Sequence, residues 1–177
     1  LFIAVVYLLT AKGHIEISDT EYSVRTAISI IENGSLLITP PDKEAVINFP
    51  SISEVDKIYS PYGFGLSLIF IPYILAGKTF SSFLNIEQRI VTDFLLSFYN
   101  LPFAMLGLYY FKRILIALGS NESKAILITI ILGLGTSFWK YTVTDFSEIS
   151  QACCMLAIVF HIIKKGEKKW LHISFWY

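Results

Sequence analysis

Two carboxylates, Asp19 and Glu21, follow directly after an apolar stretch near the start of the chain. Acidic side chains are costly to hold near lipid, so acids beside an apolar segment need a structural or chemical explanation. A positioned carboxylate can act as a general base, and both residues are candidate catalytic groups. The structural alternative is a capping box, in which Ser18 and Glu21 satisfy the first amides of a helix. Capping would account for Glu21 alone, so Asp19 is the stronger catalytic candidate.

A second pair of carboxylates, Asp145 and Glu148, lies further along the chain. Within a helix, a spacing of three residues puts both acids on one face, where they would share a divalent metal or a hydrogen-bonded substrate. The structural alternative is again a helix N-terminus, with Asp145 as the cap and Glu148 at the third position. Metal binding by this pair is the cofactor expectation that the sequence raises.

Other polar residues in apolar surroundings have simpler explanations. Arg89 and Asp93 are four residues apart and predict an ion pair on a helix. Asn100, close to Pro102, predicts a helix kink with a local hydrogen bond. We expect structural roles for these polar side chains.

The composition places the acids in a membrane protein. Of the 177 residues, 54% are hydrophobic and 16% are charged, and the mean hydropathy is +0.60. An ordinary soluble domain has about 45–50% apolar and about 25% charged residues. A formal net charge of zero, without a basic stripe interleaved with aromatic residues, argues against a nucleic-acid partner. The expected class is an all-α, polytopic integral membrane protein with a long external loop containing juxtamembrane amphipathic helices.

The sequence predicts a single transmembrane domain over residues 1–177. The chain starts without a methionine and stops within an apolar stretch, so we interpret both ends as cut. The first and last apolar stretches are then incomplete spans. The predicted segments are a truncated first span (1–11), an external loop (12–88), three spans (90–111, 125–139 and 149–163) and the start of another span (170–177).

Basic residues set the expected orientation. They cluster at Lys112-Arg113, at Lys124 and over residues 164–169, and the positive-inside rule puts these clusters in the cytoplasm. Both acidic pairs then fall on the external face of the membrane. This shared location favours a functional site at that face.

Within the external loop, residues 19–33 have the pattern of an amphipathic helix lying along the membrane. Asn33-Gly34 predicts the point at which this helix ends. Charged residues occupy the face opposite the apolar one. The residues that share the apolar face by their spacing are Val24, Ala27, Ile28 and Ile31.

The second predicted helix of the loop, residues 64–80, raises a topological conflict. If residues 90–111 run from outside to inside and Asp19 is outside, this helix cannot be a full crossing. Its 17 residues, interrupted by Pro72, are also marginal for a span. We favour an interfacial or re-entrant helix. The competing solution makes it a span and puts Asp19 in the cytoplasm.

Three segments, taken in order, resemble GT-C membrane glycosyltransferases. Residues 19–22, followed by a helix that ends at Gly34, resemble the first external loop of this superfamily, which includes the protein O-mannosyltransferases and the lipid A aminoarabinose transferases. Residues 57–63 and the apolar stretch after them resemble the segment that closes that loop. Residues 141–148 are similar to the second external loop, where many members carry an acidic residue. One departure is Thr20, which separates the two acids of the first motif.

The resemblance implies transfer of a sugar from a polyprenyl-phosphate carrier to a lipid, glycan or protein acceptor at the external face of the plasma or inner membrane. Asp19 would be the general base of an inverting displacement, and a cation would stabilise the leaving phosphate. Lys57 and Lys140 are the expected cations, while Arg25 is less suited because its helix face is solvated. The second acidic pair would orient the acceptor or hold a divalent metal. The implied site residues are Asp19 and Glu21 for catalysis, and Lys57, Tyr59, Lys140, Asp145 and Glu148 for substrate binding.

Two other functions would fit an apolar helical chain. A transporter or flippase fragment would place polar groups near the bilayer centre and often shows inverted repeats. Here the acids lie at the predicted surface and no repeat is evident, which favours an enzyme. A non-catalytic membrane assembly subunit is the other alternative, and it would be favoured if a related intact chain lacked an acid at the position of Asp19.

Overall fold

The computed structural model describes residues 1–15, 18–38 and 59–174, and the regular structure in these ranges is helical. The one β pairing in the described part of the chain is an isolated bridge between Leu37 and Tyr59. The expected all-α class is therefore confirmed for these ranges. In chain order the helices are α1 (Phe2–Thr10), α2 (Ser18–Asn33), α3 (Gly65–Leu84), α4 (Gln88–Leu96), α5 (Asn100–Ala117), α6 (Glu122–Gly135), α7 (Ser137–Thr142) and α8 (Glu148–Ser174).

The chain separates into two compact units. The first unit consists of Leu1–Ala11 together with Asn100–Tyr177, and the second unit consists of Lys12–Tyr99. Helices α1 and α5 to α8 therefore belong to the first unit, and helices α2 to α4 belong to the second. The first unit holds most of the predicted spans, whereas the second corresponds to most of the predicted external loop.

In the first unit, α5 and α8 run parallel. A Cβ atom on Gly107 would lie 3.6 Å from the Cα atom of Cys153. Further along both helices, the ring centroids of Tyr110 and Phe160 are 5.6 Å apart. From the first of these contacts to the second, the residue numbers increase on both α5 and α8, as they must when two helices run parallel. The apolar core of this unit is built on Tyr7, Ala104, Leu108 and Ile149.

The basic clusters lie at one end of the first unit. Lys112 Nζ lies 2.9 Å from Glu122 Oε1, so the start of α6 is beside the last turns of α5. Lys124 lies in this first turn of α6. Arg113 and Lys164 line one cleft, which places the basic part of α8 at the same end. The basic residues that set the expected orientation therefore gather at a single end of this unit.

Helix α1 ends, and α5 begins, at the opposite end of the first unit. Trp139 Nε1 donates to Thr10 Oγ1 at 3.0 Å, and Asn100 Nδ2 donates to the carbonyl of Tyr141 at 3.2 Å. Because Trp139 and Tyr141 both belong to α7, these contacts mark the same end. The residues between Ala11 and Asn100 therefore leave and re-enter the first unit at one end.

In the second unit, α3 and α4 form an antiparallel hairpin. The ring of Phe70 meets that of Tyr99, just after α4, edge to face at 4.9 Å. Near the other end of the hairpin, a Cβ atom on Gly77 would lie 3.0 Å from the Cα atom of Thr92. The two backbones thus approach as closely as a residue without a side chain permits. The buried residues of α3 recur at helical spacing and are Ser67, Phe70, Ile74, Gly77 and Ser81.

The helix predicted over residues 64–80 is longer than expected. It is α3, and it continues to Leu84, so its 20 residues are about 30 Å long. The predicted length, which made this helix marginal for a span, is therefore wrong. By length and composition alone, two helices of the described chain could cross a membrane: Gly65–Leu84 and the stretch Gln88–Ala117, which joins α4 and α5.

Two further boundaries differ from the expectation. Helix α6 ends at Gly135, short of the predicted span 125–139, because Thr136 is extended and caps the separate helix α7. Residues 164–169, the basic cluster expected in the cytoplasm after the predicted span 149–163, lie within α8. A single helix therefore contains both the predicted span 149–163 and the basic stretch that follows it.

Candidate functional site

Helix α2 carries the first acidic pair and is anchored by a buried apolar face. Val24 is 1% exposed and Ala27 is fully buried. The helix ends at Asn33 as its sequence predicts, because Gly34 has a φ of +61°, a left-handed conformation that suits glycine. The first turn of this anchored helix holds Asp19 and Glu21.

Asp19 is an exposed carboxylate whose direction is fixed by a tyrosine from outside α2. Tyr62 Oη donates a hydrogen bond of 2.6 Å to Asp19 Oδ1, and the ring of Tyr62 lies 6.1 Å from that of Tyr22. This hydrogen bond, with the adjacent negative charge, raises the pKa of Tyr62 to about 12. The phenol therefore stays protonated at neutral pH and continues to donate to the carboxylate.

Glu21 is the centre of a charge network. Its Oε1 atom accepts from Arg25 Nε at 2.7 Å and from Arg89 Nη1 at 3.2 Å. Arg89 Nε also donates to Asp93 Oδ2 at 2.8 Å, so the predicted ion pair is confirmed. Burial by itself would raise the pKa of Glu21, but the hydrogen bonds and charges of Arg89 and Arg25 outweigh it and lower the pKa. Glu21 is thus a poor proton acceptor.

The two acids of the first turn face different surroundings. Residues two apart on an α-helix point about 200° apart around its axis. Thr20 between them is only 3% exposed and faces the core. Asp19 is directed at Tyr62, whereas Glu21 is directed at Arg89. The two carboxylates therefore have different hydrogen-bond partners, and each requires its own explanation.

A polar cleft of about 250 Å³ opens along the charged face of α2. Guanidinium, amide and hydroxyl groups supply donors, and carboxylates supply acceptors. The formal charges of two arginines and two glutamates cancel in the lining. A balanced lining of this kind suits a neutral, hydroxyl-rich ligand better than a bare anion. The polar residues of this α2 cleft are Glu21, Arg25, Ser29, Glu32, Asn33 and Arg89.

The structure separates the second acidic pair. Helix α8 begins at Glu148, and Asp145 lies in the loop before it. Asp145 is 4% exposed, whereas Glu148 is exposed. The expected shared helical face is therefore wrong, and so is an N-cap role for Asp145, because the helix starts three residues later. Among the described residues, no group of three or more His, Cys, Asp and Glu side chains could hold a metal ion.

Asn100 organises the loop that carries Asp145. Asn100 is fully buried, and its Nδ2 atom lies 2.8 Å from the carbonyl oxygen of Phe146, 2.9 Å from that of Thr144 and 3.2 Å from that of Tyr141. The two hydrogens of this amide group are therefore shared among three carbonyl acceptors. The expectation of a local hydrogen bond is therefore wrong, because these partners are more than 40 residues away. The feature of the sequence that could have predicted distant partners is the amide itself, because a polar group inside an apolar segment requires hydrogen-bond partners.

The remaining predicted site residues fall in different places. Lys57 lies outside the residues that the structure describes. Tyr59 is 40% exposed, and its backbone forms the bridge with Leu37. Lys140 is exposed in the last turn of α7. The second unit thus holds Asp19, Glu21 and Tyr59, and the first unit holds Lys140, Asp145 and Glu148.

Two residues of the site were not selected from the sequence. Tyr62 lies in the segment 57–63, but nothing in its spacing links it to Asp19, 43 residues earlier. The sequence spacing pairs Arg89 with Asp93 and gives no indication of its second partner, Glu21. Comparison with known proteins gives no match, since no protein-family model, no curated protein and no solved structure matches this chain.

Proposed function

We propose that this chain is part of a polytopic membrane glycosyltransferase of the GT-C type, which transfers a sugar from a polyprenyl-phosphate carrier at the external face of the membrane. The observation that carries the proposal is the exposed carboxylate of Asp19, oriented by Tyr62 in the first turn of α2. A general base must be accessible to the acceptor and fixed in direction. The carboxylate of Asp19 meets both requirements.

The surface of α6 supports a membrane location for the first unit. This helix buries the small residues Ala125, Thr129 and Gly133. Small residues inside and large apolar residues outside are typical of helices that pack against one another in lipid. Water would disfavour so much exposed apolar surface. The exposed residues of α6 are Ile126, Leu127, Ile128, Ile130 and Ile131, and those of α8 are Met155, Ile158, Val159 and Ile162.

The arrangement of chain ends supports an external site. The basic clusters gather at one end of the first unit, and the positive-inside rule assigns that end to the cytoplasm. The chain leaves α1 at the opposite end, next to Trp139. In this proposal the stretch that begins after Ala11 is external, and Asp19 follows within a few residues.

The proposed reaction is an inverting displacement. The acceptor hydroxyl oxygen attacks the anomeric carbon and forms the new glycosidic bond. The bond between that carbon and the phosphate oxygen of the carrier breaks, and its electron pair leaves with the phosphate. The proton of the acceptor passes to the carboxylate of Asp19, and a positioned base of this kind contributes about 10²–10⁴-fold. Tyr62 holds the carboxylate in the direction that this transfer needs.

In the proposed reaction Glu21 positions other groups rather than accepting the proton. Its ionised carboxylate holds Arg25 and Arg89 at the edge of the α2 cleft. Guanidinium groups held in this way present donors to sugar hydroxyls. We therefore assign the α2 cleft to the hydroxyl-rich part of the acceptor or of the sugar.

The test uses membranes that contain the intact protein carrying this chain, supplied with a labelled pool of polyprenyl-phosphate sugars. Wild type is compared at equal expression with Asp19→Asn, and with Glu87→Gln as a control, because Glu87 is an exposed acid of the same unit outside the site. We expect Asp19→Asn to lower transfer by about 10²-fold or more, because it removes the base. The control should transfer sugar at the wild-type rate.

Equal transfer by wild type and Asp19→Asn would remove Asp19 from the mechanism. Lack of transfer with every sugar in the pool would count against the transferase. In that case the same membranes should be assayed for movement of the labelled lipid between leaflets, because translocation is the activity of the competing flippase hypothesis.

A further inference from the structure

A second cleft, of about 280 Å³, lies between the last turns of α5 and the middle of α8. Its lining combines two cations with apolar side chains. Arg113 and Ala117 are four positions apart on α5, and Phe160 and Lys164 are four positions apart on α8. This spacing places the two residues of each pair on one face of their helix. This basic cleft is lined by Arg113, Ile116, Ala117, Phe160 and Lys164.

The cations of the basic cleft are available to a ligand. Arg113 and Lys164 are exposed, and in the part of the chain that the structure describes neither forms an ion pair. Lys164 Nζ lies 5.8 Å from the ring centroid of Phe160. Their neighbour Lys112, by contrast, is paired with Glu122 at 2.9 Å. No acidic side chain lines the cleft.

We propose that the basic cleft binds the phosphate headgroup of an anionic phospholipid. Arg113 and Lys164 would hold the phosphate by charge-assisted hydrogen bonds, and Ile116 and Phe160 would contact the first part of an acyl chain. The cleft lies at the end of the first unit that gathers the basic clusters. The positive-inside rule assigns that end to the cytoplasmic leaflet, where anionic lipids attract basic pockets between helices. The inference rests on the proposed membrane location, not on sugar transfer.

The test is native mass spectrometry of the intact protein released from detergent micelles. The added probes are phosphatidylglycerol, phosphatidylcholine with the same acyl chains, and inorganic phosphate. The double variant Arg113→Gln/Lys164→Gln is compared with Lys124→Gln/Lys165→Gln, which removes the same charge outside the cleft lining. We expect the cleft variant to weaken phosphatidylglycerol binding roughly 5- to 30-fold and the control to change it less than about twofold.

Two additional variants separate shape from charge. Ala117→Phe would fill the apolar part of the basic cleft without changing its charge, so it should also weaken phosphatidylglycerol binding. Arg113→Lys/Lys164→Arg keeps both charges and should retain most of the binding. Thermal unfolding of each variant reports whether the first unit is intact, and only intact variants are compared.

Three results would overturn the inference. They are equal loss of binding in the cleft and control variants, equal binding of the two phospholipids by wild type, and binding of inorganic phosphate as tight as that of phosphatidylglycerol. Equal loss in the cleft and control variants would indicate that phosphatidylglycerol binds to diffuse surface charge. Equally tight binding of inorganic phosphate would indicate a site for free phosphate. Because binding is measured without a sugar donor, failure of the proposed transferase reaction leaves this result unaffected.

Discussion

The phenolic hydroxyl of Tyr62 donates a hydrogen bond to the Oδ1 atom of Asp19 at 2.6 Å, across 43 residues of sequence. The contact joins the first turn of α2 to the segment that precedes α3. It fixes the direction of the carboxylate while leaving Asp19 exposed. Tyr62 is therefore a positioning residue in the proposed reaction, and Asp19 is the group that accepts the proton.

Tyr62→Phe should lower the turnover number of sugar transfer and leave KM unchanged. A neutral hydrogen bond contributes about 0.5–1.5 kcal/mol, so we expect a loss of roughly 2- to 12-fold, far smaller than that for Asp19→Asn. The measurement is initial transfer rate against acceptor concentration. Tyr109→Phe is the control, because this exposed tyrosine lies in the first unit. A parallel rise in KM would instead mean that Tyr62 contacts the acceptor directly.

Glu21→Gln should reduce stability in a pH-dependent way. The pKa of Glu21 is lowered in the fold from its ordinary value of 4.5. A lowered carboxyl pKa stabilises the protein above the unfolded pKa, and this contribution is lost as the pH falls through the folded pKa. We expect a loss of about 1–2 kcal/mol in the free energy of unfolding at neutral pH, given the partial exposure of its partner Arg89.

The difference between Glu21→Gln and wild type should therefore shrink as the pH falls below 4.5. Denaturant unfolding in detergent micelles at several pH values measures it. Glu32→Gln is the matched control on the same helix, since Glu32 is exposed, and its effect should stay within about 0.5 kcal/mol. A difference that grows in acid would contradict the assignment of the lowered pKa to Glu21.

Local sequence patterns account for the elements that are stabilised by their own residues. The apolar spacing of α2 and its Asn33-Gly34 end give a helix with the predicted C-terminus. The pair Arg89–Asp93 also follows from a spacing of four residues. In each case the information needed lies within one or two helical turns.

The features that the sequence did not reveal depend on distant partners. The extension of α3 to Leu84 accompanies its packing against α4, where Gly77 meets Thr92. The Tyr62–Asp19 hydrogen bond joins residues 43 positions apart. Patterns in sequence cannot specify such pairs, because the side chains have no fixed relation until the helices pack.

Gly77→Ala should destabilise the α3–α4 hairpin. Its Cβ atom would overlap the hydroxyl of Thr92 and lie 3.0 Å from the Cα atom of that residue, so the helices would have to separate. Overpacking of this kind costs about 1–3 kcal/mol. Gly65→Ala is the control, because nothing lies within 4 Å of its added Cβ atom. Thr92→Ala should recover part of the loss in the double variant, and additive effects would contradict a direct contact.

Asn100→Ala should destabilise the loop between α7 and α8. The two N–H hydrogens of the side-chain amide are shared among three backbone carbonyls, and alanine would leave these carbonyls without that donor inside the unit. We expect a loss of about 2–4 kcal/mol in the free energy of unfolding. As a comparison, Asn121→Ala removes the exposed cap of α6, whose side chain accepts from Lys124 N at 2.9 Å, and should cost about 1 kcal/mol.

Asn100→Asp distinguishes this donor role from simple filling of space. Aspartate has nearly the same shape, but its carboxylate would face three carbonyl oxygens in a fully buried position. A carboxyl group has at most one hydrogen to donate, whereas the amide has two, so the carbonyls would lose at least half of their donors. We therefore expect Asn100→Asp to destabilise the protein at neutral pH at least as much as Asn100→Ala does, measured by denaturant unfolding in detergent micelles. Wild-type stability of the aspartate variant would show that Asn100 only fills space.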